Sequence, residues 1–442
     1  MKTLMLTAMH SGAGKTVVTC ALLAALKNRG IPVHAFKCGP DYIDPMFHTR
    51  VLGLPSRNLD LFLQGEAALR RTLSCAGDGL ALLEGAMGYY DGLNGTDRAS
   101  AWETGRVAES PAVLILRPRG SGLSLAAQVR GMRQFREPSG ISALLLNDCS
   151  PRLADYLRPI LERETGLPVL GCLPPMAEAR IDSRHLGLLT PPEVEDLGAR
   201  LETVARELER FADLDALLAL AGPGPETTAP PPAVPHRCTV AVARDEAFCF
   251  YYQDSLEALE RAGAALCFFS PLRDSALPQA DGLYLGGGYP ELYARALSAN
   301  ETMRRSIRAA VEGGMPTVAE CGGFLYLQES LEDEHGASFP LCGVLPGRGY
   351  PTGSLRRFGY QFLESEADSL LFRRGEAVPA HEFHHWESTQ PGETLLSRKA
   401  DGRVWRCAYT SETLYAGFPH LHFGGELPLA RRFVEACTKG QA

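Results

Sequence analysis

Gly12, Ala13 and Gly14 lead into Lys15 and Thr16, between an apolar run (Leu4-Met5-Leu6) and a helical pattern from Val17 to Arg29. Strand, glycine loop and helix are the setting of a phosphate-binding P-loop, whose backbone N–H groups point at phosphate oxygens. Lys15 would reach the terminal phosphates of ATP, and the Thr16 hydroxyl would hold Mg²⁺. The first glycine of the usual pattern is replaced by Met9. Carboxylates follow later apolar runs. Asp41 and Asp44 stand three apart in a stiff loop between prolines, and Glu84 and Asp91 lie in a glycine-rich stretch. Acids placed after strands and facing a P-loop are expected to be catalytic, with Asp44 and Glu84 joining Thr16 around Mg²⁺. Asn147, at the end of a further apolar run, is expected at the nucleotide, its amide reading a base edge.

A second kind of chemistry is written into the other half. Pro316 to Glu320 reads as a strand, followed by Cys321, Gly322, Gly323 and a helical run. This is the thiol form of a nucleophile elbow. A helix N-terminus at the cysteine is expected to lower the thiol pKa and favour thiolate. Backbone N–H groups at Gly322 and at Gly287-Gly288 could hold an oxyanion. A base is needed, and His420 and His422 share one side of an extended segment. His420 would take the thiol proton and His422 would orient or tune it. His381-Glu382-Phe383-His384-His385 matches the zinc-protease spacing, but Pro379, Phe383 and Trp386 favour strand over the helix that motif needs. It reads as a polar wall or a structural strand.

These residues require a scaffold of two parts. A chain of 442 residues exceeds one ordinary core. In the first half, apolar runs at Pro32–Phe36, Leu80–Leu83, Ala112–Leu116 and Ser142–Leu146 alternate with helical patterns, including one from Pro192 to Leu220. Continuous apolar strands between helices imply a parallel sheet covered on both faces, with ligands beyond the strand carboxyl ends. A proline-rich segment, 223–236, is the expected linker between an ATP-binding synthetase domain (1–222) and a second α/β domain (237–442). Net charge is −8, which argues against nucleic acid or an anionic membrane as partner. With no long apolar run, no leader pattern and twelve scattered cysteines lacking any C-x-x-C, a cytoplasmic protein with reduced thiols is expected. A homodimer is compatible with this reading.

Together these stretches resemble the cobyrinate a,c-diamide synthase family. The resemblance rests on the P-loop, Lys37 to Pro45, Arg57-Asn58-Leu59-Asp60, Glu84 to Gly92, Arg184 to Leu188, Gly286 to Leu292, Ala319 to Leu327, His381 to His384 and His420 to Phe423. It implies a dethiobiotin-synthetase-like ATP domain followed by a class I glutamine amidotransferase-like domain. It implies that ATP phosphorylates the a and c carboxylates of a corrinoid, and that ammonia from glutamine, released through a Cys321 thioester, displaces phosphate. Lys37 and Tyr42 would meet the polycarboxylate substrate, and Arg184, Arg348, Arg356 and Arg357 are further cations it could use. Nickel sirohydrochlorin and hydrogenobyrinate are alternative substrates for the same chemistry. A partitioning-type ATPase switch is the alternative of another class, but it carries a second P-loop lysine where this chain has His10. The chain departs from the family at Arg117-Pro118-Arg119, where an acidic residue is usual, and at His385-Trp386.

Overall fold

The computed structural model describes residues 1–180, 183–184, 187–188, 190–226 and 232–439. His185 and Leu186, within one of the stretches above, lie outside the described residues, as do positions 227–231 of the expected linker. Two compact units form, 1–230 and 231–442. Gly222 still pairs with Thr3 through two backbone hydrogen bonds of 3.0 Å, whereas Val234 already bonds to the Arg261 carbonyl. Among the described residues no helix is long and apolar enough to cross a membrane.

Seven parallel strands make the first sheet: β1 (Lys2–Ala8), β2 (Val33–Cys38), β3 (Arg57–Leu59), β4 (Leu80–Glu84), β5 (Ala112–Leu116), β6 (Ile141–Asn147) and β7 (Val169–Leu173). Their order is β3-β2-β4-β1-β5-β6-β7. Every residue of β4 and β5 is buried, as expected for strands covered on both faces. One face packs Leu22, Leu26, Val204 and Leu208 from helices Lys15–Asn28 and Leu197–Phe211. The other packs Leu125, Val129, Leu157 and Leu161. The chain turns from one side of β1 to the other after β4, and such a switch point opens a crevice at the strand carboxyl ends. The single helix expected over 192–220 is instead two, because the Asp213 carboxylate caps a new start at Ala216 N (2.9 Å). Ser183–Arg184 (β8) and Gly187–Leu188 (β9) form a small antiparallel pair.

The second unit has a six-stranded sheet of order β11-β10-β12-β13-β21-β20. It contains β10 (Cys238–Ala243), β11 (Ala264–Phe269), β12 (Gly282–Leu285) and β13 (Thr317–Glu320) in parallel. A third sheet, not foreseen from periodicity, holds β14 (Ser330–Glu332), β15 (Ser338–Pro340), β16 (Arg348–Ser365), β17 (Ala377–Ser388), β18 (Leu395–Arg398) and β19 (Val404–Cys407). The chain then returns through β20 (Tyr409–Thr410) and β21 (Leu414–Gly417), and β22 (His420–Leu421) joins the third sheet against β17. The zinc-like stretch lies in β17, as strand, in keeping with its aromatic content.

Buried Asp245 ties the loops at the top of the second sheet. Its carboxylate accepts from Ala247 N (2.9 Å), Phe248 N (3.2 Å), Leu272 N (2.9 Å) and the Ser270 hydroxyl (2.8 Å). Asp245→Ala should therefore weaken the second unit by about 2–4 kcal/mol, since several buried donors lose a charged acceptor together. Amide exchange should accelerate in β10 and β11 and stay unchanged in β1 and β5. Equal acceleration in both sheets would contradict the assignment.

Candidate active site

The first cluster gathers at the carboxyl ends of β1, β2 and β4. Gly14 adopts φ 88°, and a carbon added to it would lie 2.1 Å from Asn147 Nδ2. Only glycine fits there. Asn147 donates to the Ala13 carbonyl (2.8 Å), so its amide supports the loop. The Lys15 amine folds onto the His10 (3.2 Å) and Met87 carbonyls. Burial and the neighbouring Lys37 lower its pKa to about 8, against the pull of Glu84, Asp44 and Asp91.

Glu84 is fully buried at the end of β4. Its Oε1 accepts from the Thr16 hydroxyl (2.9 Å) and Lys37 (2.8 Å), and its Oε2 lies 2.7 Å from His48 Nε2. Burial alone would raise its pKa, but Lys37 and His48 outweigh that and hold it below the carboxylate range. Lys37 also contacts Asp44 Oδ2 at 2.6 Å. Thr16 and Glu84 are thus joined directly by a hydrogen bond, while Asp44 meets the Lys37 ammonium. Burial and the like charges of Asp41 and Glu84 push the Asp44 carboxyl up. Asp41 and Asp91 serve their own loops. Asp41 accepts from Ile43 N and Asp44 N (2.8 and 3.0 Å), opening the helix Ile43–Leu52, and Asp91 accepts from Gly88 N (3.0 Å). Half-buried Tyr42 precedes that helix.

The second cluster forms beyond β12, β13 and β21. Cys321 has φ 48°, ψ −100°, the strained turn of an elbow. A carbon added to Gly323 would meet the Leu285 carbonyl at 2.2 Å, so the helix packs on β12 only with glycine there. Cys321 N donates to Gly417 O (2.8 Å), three residues before His420. A carbon placed on Gly287 would be 2.5 Å from His420 Cε1, and one on Gly322 would be 3.2 Å from Gly288 N. His420 and the three expected oxyanion glycines therefore converge around the cysteine. His422 does not join them. Its Nε2 lies 2.8 Å from Asp254, and its ring packs on Tyr252.

The thiol is not poised as thiolate. Cys321 is only 7% exposed. Burial pushes its pKa up, Glu291 and Glu382 add to the rise, the Gly322 N–H opposes it, and Glu320 adds further. The helix behind it spans only six residues, Gly322–Leu327, and its N-terminus does not prevail over burial and three carboxylates.

Comparison with known proteins decides the lineage. Residues 4–189 match the CobQ/CobB/MinD/ParA nucleotide binding domain, and residues 239–427 match the CobB/CobQ-like glutamine amidotransferase domain. A cobyrinate a,c-diamide synthase of Listeria monocytogenes serotype 4b is 38% identical over 437 residues, spanning 96% of each chain. The chain belongs to the cobyrinate a,c-diamide synthase family. Relatives of the same name from Streptococcus sanguinis (38% over 436 residues, 96% of each chain) and Caldanaerobacter subterraneus (36% over 443 residues, 98% of each) are similar over the same extent. The chain is an enzyme of the amido-ligase class.

Within this family member, the departure at Arg117 has a local explanation. Its guanidinium donates to Gly12 O (2.9 Å) and pairs with Asp148, one residue past Asn147. Sequence reading missed several buried partners. Glu320 precedes Cys321 directly. It accepts from the Tyr284 hydroxyl (3.0 Å) and Leu421 N (2.9 Å), with His420 Nδ1 at 3.7 Å. His48 and Asp254 were missed because their partners are remote in sequence. Glu320 had a signal, its place beside the proposed nucleophile.

Two outcomes follow. Lys15 is charged below pH 8 and loses its proton above it, and bound phosphates would raise its pKa. ATP binding should then take up protons between about pH 8 and 9.5, and affinity should fall as pH rises through that window. Calorimetry in buffers of different ionisation enthalpy measures this, and proton-neutral binding at pH 8.5 would refute it. Cys321 in the ligand-free protein should react with iodoacetamide at pH 7.5 at least about ten-fold more slowly than a free thiol, because the thiolate is the nucleophile. Peptide mass mapping reads the rate, and free-thiol reactivity would refute the buried neutral state.

Proposed function

We propose that the chain converts the a and c carboxylates of cobyrinate to amides, using ATP to activate each carboxylate and glutamine as nitrogen source. The observation that carries this is the coexistence of two built sites in one family member: a P-loop with Lys15, Thr16 and Glu84, and a cysteine elbow with His420. In the first, the substrate carboxylate attacks the terminal phosphorus of ATP and ADP leaves, giving an acyl phosphate. Ammonia attacks the acyl carbon and phosphate leaves. Lys15 holds the terminal phosphates, and the Lys37 amine and Asp44 face the reacting carboxylate. Thr16 and Glu84 present hard oxygen donors 2.9 Å apart, a set that fits Mg²⁺ when phosphate oxygens complete the shell. When bound, the ion would neutralise charge on the phosphates. Asn147 and Arg117 keep the loop in shape around them.

In the second site, glutamine must change the state of the thiol. Its ammonium group would be drawn to the carboxylates near Cys321, and pairing with them offsets the part of the pKa rise that those charges add to burial. The sulfur then attacks the carboxamide carbon while His420 takes the thiol proton and returns it to the departing ammonia. Backbone N–H groups at Gly287, Gly288 and Gly322 surround the place where the oxyanion forms. Water hydrolyses the thioester to glutamate. Asp41, Asp91 and His422 act by positioning, through the contacts described above.

Cys321→Ala should drop glutamine hydrolysis to background, while high ammonia restores amide formation. Lys15→Ala should abolish amide formation from either nitrogen source. Mass spectrometry of cobyrinate products follows both. Glutamine-dependent product from Cys321→Ala, with free ammonia excluded, would overturn the reading. Turnover of nickel sirohydrochlorin or hydrogenobyrinate in place of cobyrinate would reassign the substrate.

A further inference from the structure

The helix Ile43–Leu52 carries two of the groups that surround the phosphate site. Asp44 and His48 stand four residues apart, so they share one face of that helix. Asp44 Oδ2 contacts the Lys37 amine (2.6 Å), and His48 Nε2 lies 2.7 Å from Glu84 Oε2. Lys37 in turn reaches Glu84 Oε1 (2.8 Å). Asp44, Lys37, Glu84 and His48 therefore close a ring of contacts that begins and ends on the same helix. His48 and Glu84 are both fully buried.

The His48 ring is itself braced. Its Nδ1 lies 3.1 Å from the Ser56 hydroxyl, and that hydroxyl donates to the Ala35 carbonyl (3.0 Å). A hydroxyl has one hydrogen to give, so the Ser56 oxygen accepts from Nδ1–H. Ala35 lies on β2, two residues before Lys37. Ser56 N donates to the Thr49 hydroxyl (3.0 Å), next to His48 in the chain. The ring is thus held at both nitrogens, by the strand that delivers Lys37 on one side and by Glu84 on the other. The terminal torsion of a glutamate is broad and roughly two-fold, so its partners set the plane of the carboxylate. Thr16 and Lys37 both use Oε1, and His48 takes Oε2. A histidine that merely filled the core would not need this bracing against the one carboxylate that meets Thr16.

We propose that His48 is a positioning residue for the phosphate site, fixing the second oxygen of Glu84 so that the first stays aimed at Thr16, where magnesium–ATP would be held. The inference rests on the function proposed above. His48 touches no substrate and acts through Glu84. Ser56 acts one step further out, by keeping the ring from turning. Hydrogen-bond partners of a metal-binding carboxylate are worth about 10–100-fold in metal affinity or activity.

Two variants separate the ring nitrogens. The amide of His48→Gln reaches the place of Nε2 and can still donate to Glu84. The shorter His48→Asn reaches only the place of Nδ1, toward Ser56. Calorimetry measures ATP binding with and without Mg²⁺. His48→Asn should weaken binding about ten-fold or more with Mg²⁺, and within about two-fold without it, while His48→Gln stays within about three-fold of the parent in both. The double variant His48→Asn/Glu84→Gln should bind no more weakly than Glu84→Gln alone, because the histidine acts through that carboxylate. With ammonia as nitrogen source, kcat for amide formation should fall in His48→Asn while the KM for cobyrinate stays within about three-fold. Equal losses in the two amide variants overturn the role, as does a lowered melting temperature with magnesium–ATP binding unchanged. Should His48→Asn fail to fold, Ser56→Ala decides: it should weaken binding more than about two-fold with Mg²⁺ only, and unchanged binding overturns the role. A parent enzyme that binds magnesium–ATP with this dependence on His48 but does not amidate cobyrinate keeps the positioning role and sinks the proposed function. A parent that amidates cobyrinate while its ATP binding ignores Mg²⁺ does the reverse.

Discussion

In a parallel sheet every strand delivers its last residue to the same edge, and both units rely on that alignment. Lys15 follows β1, Lys37 lies near the end of β2, Glu84 closes β4 and Asn147 closes β6. Cys321 follows β13, Gly286 follows β12, and Gly417 ends β21. Groups far apart in sequence meet because hydrophobic burial of the strands on both faces leaves only the ends open to chemistry. The sheet cores carry the stability, and the loops carry strain such as the positive φ of Cys321.

Burial at those ends gives the first cluster its character. Glu84 is removed from water but faces Lys37, His48 and the Thr16 hydroxyl. Removing one partner would leave an uncompensated buried charge, a penalty on the order of 3–5 kcal/mol. The cluster is therefore both a structural keystone and a source of reactive charge. The Lys37 ammonium is shared between Glu84 and Asp44, so one buried cation balances two carboxylates. Such preorganised charge is how low-dielectric sites assist phosphoryl transfer.

Much of this was legible beforehand, for reasons that differ by residue. The strand Ala112–Leu116 was read at its observed limits because a short apolar run between turn signals, in a series alternating with helical patterns, reads as a buried strand. The P-loop and the elbow were legible because their glycines answer to local geometry. Partners set by tertiary packing were not. Nothing local marks Asp254 as the partner of His422, or places Asn147 beneath Gly14. The third sheet escaped because its strands mix polar and apolar residues on a bulged register, which blurs a period of two. The state of the thiol was misjudged because a helix N-terminus is visible in sequence, whereas the burial of Cys321 and the three carboxylates folded around it are not.

That buried, protonated thiol has a consequence for how the protein lasts in an aerobic cell. Peroxide attacks thiolates, and the products beyond sulfenic acid do not return. A cysteine kept neutral and 7% exposed while its site is empty offers almost nothing to oxidise. Burial first, and the carboxylates around Cys321 after it, thus guard the side chain they enclose.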